Sequence, residues 1–104
     1  MAKSKWVRAC NINDFKRSYL FKHKRREYAI FKLEDGVYCL DNVCSHEYSP
    51  LAEGMVLDAD VFCPKHGSRF DIRTGEVKDY PATRPVKTFD VQVDENGDIH
   101  IRVK

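Results

Sequence analysis

The chain of 104 residues lacks any long apolar segment. Its N-terminus, MAKSKWVRACNINDF, has no apolar run that could form the core of a signal peptide. No stretch approaches the roughly 18 apolar residues of a membrane span. Eighteen basic and 16 acidic residues leave a net charge of +2, so no whole-chain attraction to nucleic acid is expected. These absences predict a soluble cytoplasmic protein with no membrane or nucleic-acid partner.

The sequence also lacks a sustained helical period. Apolar and polar residues instead alternate one by one, which is typical of strands with one buried face. Asp35-Gly36 and Asn96-Gly97 are dipeptides that favour tight hairpin turns. The alternation predicts strands at 18–22, 27–33, 37–41, 89–93 and 99–103, and shorter ones near Val7 and at 55–57, 61–62 and 69–72. We therefore expect one all-β domain over 1–104, an antiparallel sandwich or small barrel.

The middle of the chain differs from its flanks in composition. From Cys44 to about Pro85 it is richer in glycine and proline, and its predicted strands are shorter. We expect residues 43–85, approximately, to form a subdomain inserted into the β framework. The flanking hairpins would supply a rigid base for loops that carry a site.

Two loops in this region each hold one cysteine and one histidine. The pattern is Cys44-x-His46, then 16 residues, then Cys63-x-x-His66. Thiolate and neutral imidazole are ligands for zinc and iron. Core cysteines with surface histidines, a structural zinc site and a Cys–His nucleophile are alternatives. One cysteine and one histidine per loop fits best a Rieske [2Fe–2S] centre, where two histidines replace two cysteines on one iron.

The chain resembles the Rieske-type ferredoxins, small electron carriers of bacterial aromatic-ring-hydroxylating dioxygenase systems. The resemblance extends over nearly the whole chain. It is carried by Cys44-Ser45-His46, Leu51-x-Glu53-Gly54, Cys63-Pro64-x-His66-Gly67-Ser68-x-Phe70 and Thr74-Gly75. It implies the Rieske fold and one [2Fe–2S] cluster. It also implies that Cys44 and Cys63 ligate the inner iron, and that His46 and His66 ligate the outer iron near the surface.

The resemblance further implies a low reduction potential. High-potential Rieske proteins carry a disulfide between their ligand loops, at positions that correspond to Ser49 and Lys65, and usually a tyrosine in place of Phe70. Ser68 stands where those proteins have a serine that bonds a cluster sulfur. We expect its hydroxyl or backbone N–H to raise the potential within the low range, although a serine that serves only the turn is an alternative.

By the same resemblance the protein is an electron carrier and not an enzyme. The resemblance implies a flavin-dependent reductase as the donor and a terminal oxygenase as the acceptor, and we expect the carrier to be a monomer. Lys65, Gly67, Tyr48 and Pro81 are expected near the cluster and its partners. The small subunit of a nitrite reductase and a structural zinc module remain alternatives. The basic run at 22–26 reads as a solvated hairpin tip or as a docking patch for an acidic reductase, and Cys10 and Cys39 as small apolar residues.

Overall fold

The predicted alternation is seen as strands in a computed structural model, which describes residues 5–43, 50–65, 67–79 and 84–103. Two short 3₁₀ turns, Ile12–Asp14 and Leu51–Glu53, are the helical elements of these ranges. The strands are β1 Lys5–Asn11, β2 Ser18–His23, β3 Arg26–Leu33, β4 Gly36–Asp41, β5 Met55–Leu57, β6 Asp60–Phe62, β7 Arg69–Asp71, β8 Val77–Asp79, β9 Thr88–Phe89, β10 Val91–Val93 and β11 Asp98–Val103.

These strands form three antiparallel sheets. The central sheet has the order β2-β3-β4-β9, the distal sheet β1-β11-β10, and the site sheet β5-β6-β7-β8. The four strands of the site sheet are consecutive in the sequence, where they come after β4 and before β9 of the central sheet. The all-β prediction with antiparallel pairing is therefore confirmed.

The central sheet is buried on both faces, and strand β3 shows this best. Successive side chains of a strand point to opposite faces. Ala29 and Phe31 pack in a core shared with the site sheet, whereas Tyr28 and Ile30 pack in a second core with the distal sheet. Each large apolar side chain buried in this way stabilises the fold by roughly 1.5–3 kcal/mol. Strand β3 thus packs against the site sheet through one face and against the distal sheet through the other.

The structure differs from the predicted strands near the C-terminus. The single strand predicted at 89–93 is two: Phe89 pairs with Cys39 of the central sheet, and Val91 pairs with Ile101 of the distal sheet. The chain bends at Asp90, whose carbonyl accepts a hydrogen bond from the Arg102 N–H at 3.0 Å. The alternation runs through the bend because Phe89 and Val91 face the same core.

Two further details were not predicted. Strand β8 has no apolar alternation beyond Val77 and pairs with β7 through an irregularity of the register. The hairpin between β3 and β4 turns at Glu34 and Asp35, since Leu33 pairs with Gly36, so Gly36 is the first strand residue and not part of the turn. Backbone pairing, which the side-chain pattern does not encode, decides both.

Candidate functional site

The structure describes one of the four predicted ligands. Cys63 lies directly after strand β6, is only 3% exposed, and packs in the core between the central and site sheets. Cys44, His46 and His66, together with Tyr48 and Pro81, lie outside the described residues. Within the described ranges no group of three metal-binding side chains occurs. The four-ligand set therefore stays a prediction.

The second ligand loop, residues 63–68, is closed by its own backbone. The Cys63 N–H donates to the Ser68 carbonyl at 2.7 Å, and the Gly67 N–H donates to the Cys63 carbonyl at 3.0 Å. Gly67 has a φ of +76°, and no atom lies within 4 Å of where its Cβ would be. Glycine is needed here for the left-handed backbone, not for space. These two hydrogen bonds hold the backbone of Gly67 and Ser68 against that of the buried Cys63.

Neighbouring residues of this loop differ greatly in solvent exposure. Cys63 and Ser68 are buried, whereas Pro64, Lys65 and Gly67 are exposed. The cysteine therefore lies at the base of the loop, and both sequence neighbours of His66 lie at its surface. The resemblance implies a buried cysteine ligand for the inner iron, and the burial of Cys63 fits that expectation.

Ser68 is not a surface turn residue, because it is fully buried. Its carbonyl closes the loop by accepting the Cys63 N–H. Buried hydroxyl groups in proteins are nearly always hydrogen-bonded. The hypothesis that the Ser68 hydroxyl or N–H tunes the reduction potential remains a prediction, as do the partner contacts of the exposed Lys65 and Gly67.

The first ligand loop can be described from its two ends, which Asn42 holds together. Val43 and Pro50, on either side of residues 44–49, form an isolated β-bridge. The Asn42 carbonyl accepts the Leu51 N–H at 2.7 Å, and its side-chain Oδ1 accepts the Ala52 N–H at 2.8 Å. Asn42, two residues before Cys44, therefore fixes Leu51 and Ala52, the two residues after Pro50.

Asn42 also ties the loop to the central sheet. Its N–H donates to the Glu27 carbonyl at 3.1 Å, and its Nδ2 donates to Glu27 Oε1 at 2.9 Å. Asn42 is fully buried, and all four of its polar groups are bonded. The sequence reasoning missed this residue. The available signal was an amide at the end of an apolar strand, two positions before a predicted ligand, where burial would require partners.

Cys10 and Cys39 lie in a different core from Cys63. Both lie inside strands and are 2% exposed, in the core between the central and distal sheets. Burial is the main cause that raises the pKa of the Cys10 thiol to about 11. Burial likewise raises the pKa of Cys39. Their prediction as small apolar residues is confirmed.

Comparison with known proteins assigns this arrangement to a family. The Rieske [2Fe-2S] domain matches residues 5–90 of the chain. This chain belongs to the Rieske [2Fe–2S] family. None of the helices in the described ranges has the length and hydropathy needed to span a bilayer.

Similar proteins are ferredoxins. The ferredoxin component of naphthalene 1,2-dioxygenase/salicylate 5-hydroxylase systems from Ralstonia sp is 29% identical, over 86% of this chain and 88% of that protein. The ferredoxin of carbazole 1,9a-dioxygenase from Nocardioides aromaticivorans IC177 is 31% identical, with a TM-score of 0.89 over 97% and 100% of the two chains. The Rieske protein described here is accordingly a [2Fe–2S] electron carrier and not by itself an enzyme.

Two further solved structures are similar to this chain. A chain from the complex of reduced oxygenase and oxidized ferredoxin in carbazole 1,9a-dioxygenase is 26% identical, with a TM-score of 0.87 over 93% and 92% of the two chains. A chain assigned as an NADH-dependent nitrite reductase small subunit from Mycobacterium tuberculosis has a TM-score of 0.84 at 22% identity, over 99% and 98% of the chains. That second likeness shows the fold alone.

Proposed function

We propose that this Rieske protein carries single electrons from a flavin-dependent reductase to the terminal oxygenase of a ring-hydroxylating dioxygenase system. The observation that carries the proposal is the likeness to a chain of the carbazole 1,9a-dioxygenase complex, which extends over more than nine tenths of both chains. In this proposal the protein works as a cytoplasmic monomer that docks with each partner in turn.

The cluster ligands in this proposal are Cys44, His46, Cys63 and His66, within a cluster-binding subdomain of residues 43–85, approximately. A [2Fe–2S] cluster with two histidine ligands supplies a one-electron couple at a higher potential than an all-cysteine cluster. Support comes from Cys63, whose thiol lies at the buried base of a closed loop. Further support comes from Asn42, which joins the two ends of the other loop.

The ligand set is tested by substituting cysteines one at a time and measuring iron per chain. Cys44→Ala and Cys63→Ala should each lose the iron. Cys10→Ala and Cys39→Ala are matched controls, because both remove a buried thiol from a strand in the core between the central and distal sheets, and they should retain the iron. Retention of iron by Cys63→Ala would contradict the assignment.

Partner contacts are proposed around the loops. Lys65 and Gly67 are exposed beside the buried Cys63, which supports a place for them at the surface that meets the partner. Tyr48 and Pro81 are proposed for the same surface from their positions in the sequence. The low-potential class is proposed because Ser49 and Lys65 stand in place of the loop cysteines of high-potential proteins.

Electron delivery is tested by mixing the chemically reduced protein anaerobically with the oxidised oxygenase of carbazole 1,9a-dioxygenase in a stopped-flow instrument. Reoxidation of the ferredoxin on mixing, with equal reduction of the oxygenase, is the expected result. A reduced protein that transfers no electron to this oxygenase, or to the oxygenase of a naphthalene dioxygenase system, would overturn the proposed role.

A further inference from the structure

A strongly basic turn lies at the same end of the central sheet as the first ligand loop. This basic turn comprises Lys22–Arg26 and joins β2 to β3. Strand β4 runs antiparallel to β3 and ends with Asp41 opposite Tyr28, only three residues before Cys44. The topology thus brings the basic turn to the end of the sheet where the chain enters the site.

Contacts confirm that the two segments are neighbours. Arg25 and Arg26 of the basic turn line a hollow of about 260 Å³ together with Val43, the last described residue before the ligand loop, and with Glu27 and Asp41. The hydrogen bond from Asn42 Nδ2 to Glu27 Oε1 joins the residue before Val43 to the residue after Arg26. The charges of the turn are therefore part of the surface around the site.

The basic turn concentrates four cations within five residues. In residues 5–43, 50–65, 67–79 and 84–103, no ion pair involves Lys22, Lys24, Arg25 or Arg26. Five cations outside the turn are paired with aspartates: Arg8–Asp98, Arg69–Asp79, Arg73–Asp35, Lys78–Asp60 and Arg102–Asp90. The four cations of the turn outnumber Glu27 and Asp41, which line the adjacent hollow, so a local excess of positive charge lies at this end of the sheet.

The basic turn is also held in a defined position. The Arg26 guanidinium lies over the Phe89 ring, 5.8 Å from its centroid, and the His23 ring stacks on Phe21 at 6.2 Å. Lys24 adopts a φ of +55°, which is unfavourable for any residue other than glycine, asparagine or aspartate. A lysine therefore occupies a position where glycine would be less strained, and it adds a charge there.

We propose that the basic turn is a docking surface for an acidic face of the redox partner protein. This inference rests on the proposed electron-carrier role and adds the chemistry of the partner. Complementary charges steer two proteins together and raise the association rate, and salt screens this effect. The turn has no aromatic side chains interleaved among its cations for stacking nucleobases, which argues for a protein partner.

The role of the positive charge in the basic turn is tested with Arg25→Glu, and Lys16→Glu is the matched control. Both residues are exposed, and each change lowers the formal net charge by two. Arg25 lies in the basic turn, whereas Lys16 precedes β2 and lines a groove with Leu33 and Glu34 at the other end of the central sheet. A difference between the variants thus reports the position of the charge and not its amount.

The first readout uses small oxidants of opposite charge on the reduced protein. Each electron leaves the cluster and reduces ferricyanide to ferrocyanide, or hexaammineruthenium(III) to hexaammineruthenium(II). At low ionic strength Arg25→Glu should slow the anionic oxidant about threefold or more and accelerate the cationic one, and high salt should abolish both effects. Equal rates for Arg25→Glu and Lys16→Glu would overturn the proposal.

The second readout is binding and electron transfer with the oxygenase and reductase that serve the unsubstituted protein. Arg25→Glu should weaken binding measured by calorimetry and slow transfer at low salt, with an unchanged EPR spectrum and potential. A slowing with one partner only supports the docking surface and assigns it to that partner. If the unsubstituted protein transfers electrons and Arg25→Glu transfers them at the same rate, the docking surface is contradicted and the proposed function stands. If the unsubstituted protein transfers electrons to or from none of the partners, the proposed function is contradicted instead.

Discussion

The two ligand loops of this protein are closed by different chemistry. The first loop is joined at its ends by Asn42, whose backbone and side chain reach both Leu51 and Ala52 after the loop and Glu27 on strand β3. The second loop is closed by its own backbone, through the hydrogen bonds among Cys63, Gly67 and Ser68. The closure of the first loop therefore includes side-chain bonds as well as backbone bonds, whereas the described closure of the second loop is made by the backbone.

This difference determines which substitutions should disturb each loop. A substitution at Asn42 removes two side-chain hydrogen bonds at once from a buried position. In the second loop the closing bonds are made by the backbone, so a change that disfavours the left-handed conformation at Gly67 should disturb them. Two loops of similar composition thus respond to different kinds of substitution.

The largest effect is expected for Asn42→Ala. The change leaves the Ala52 N–H without its acceptor and costs roughly 1–3 kcal/mol for that unsatisfied group. We expect a lower free energy of unfolding in urea and faster loss of iron to a chelator. Asn13→Ala is the control, because Asn13 is exposed on the 3₁₀ turn Ile12–Asp14. Iron retention equal in the two variants would contradict the role given to Asn42.

Gly67→Ala should have the next largest effect. A non-glycine residue in the left-handed region costs roughly 1–2 kcal/mol. Gly36→Ala is a matched control, because Gly36 also has a positive φ, +150°, and open space around its Cβ position, but it lies at the start of β4. Both variants should lose stability, whereas only Gly67→Ala should change the EPR spectrum of the reduced protein. An EPR change in Gly36→Ala as well would remove the loop-specific interpretation.

Ser68→Ala tests the second loop without touching its backbone bonds. If the hydroxyl stabilises the reduced cluster by one hydrogen bond, its loss should lower the reduction potential by about 20–60 mV. Protein-film voltammetry measures this shift. Thr74→Ala removes an exposed hydroxyl from the turn between β7 and β8 and should leave the potential unchanged. An unchanged potential in Ser68→Ala would show that the hydroxyl does not tune the cluster and would leave Ser68 only the loop closure made by its carbonyl.

The smallest effect concerns a cysteine outside both loops. Because burial raises the pKa of Cys10 from 9.0 to about 11, the folded state favours the neutral thiol. Its contribution to stability is present below pH 9 and is lost as the pH rises toward 11. Between pH 9 and pH 11 the free energy of unfolding in urea should therefore fall less for Cys10→Ala than for the unsubstituted protein. Equal losses would show that the thiol does not ionise on unfolding.

Much of the fold could be predicted because one physical pattern dominates it. Period-two alternation located β2, β3, β4 and β11, since each has at least one face in a core. The same reasoning merged β9 with β10, because Phe89 and Val91 face one core on both sides of the bend at Asp90. Alternation reports the face of a residue and not the sheet to which its strand belongs.

The site was predictable to a different extent. The spacing of Cys44, His46, Cys63 and His66 indicated a cofactor because few other functions need that combination of side chains. Asn42 was not predicted, because its role depends on Glu27 and Ala52, which are distant in sequence and meet only after β3 and β4 pair. Side chains that bind a cofactor carry a recognisable chemistry, whereas those that position the loops are defined by contacts.

The central claim, two histidines and two cysteines on one [2Fe–2S] cluster, is tested most directly by EPR of the purified, dithionite-reduced protein at low temperature. The account predicts a brown protein with two irons per chain and a rhombic signal with a low average g value. A colourless protein that contains zinc and gives no signal after reduction would contradict it.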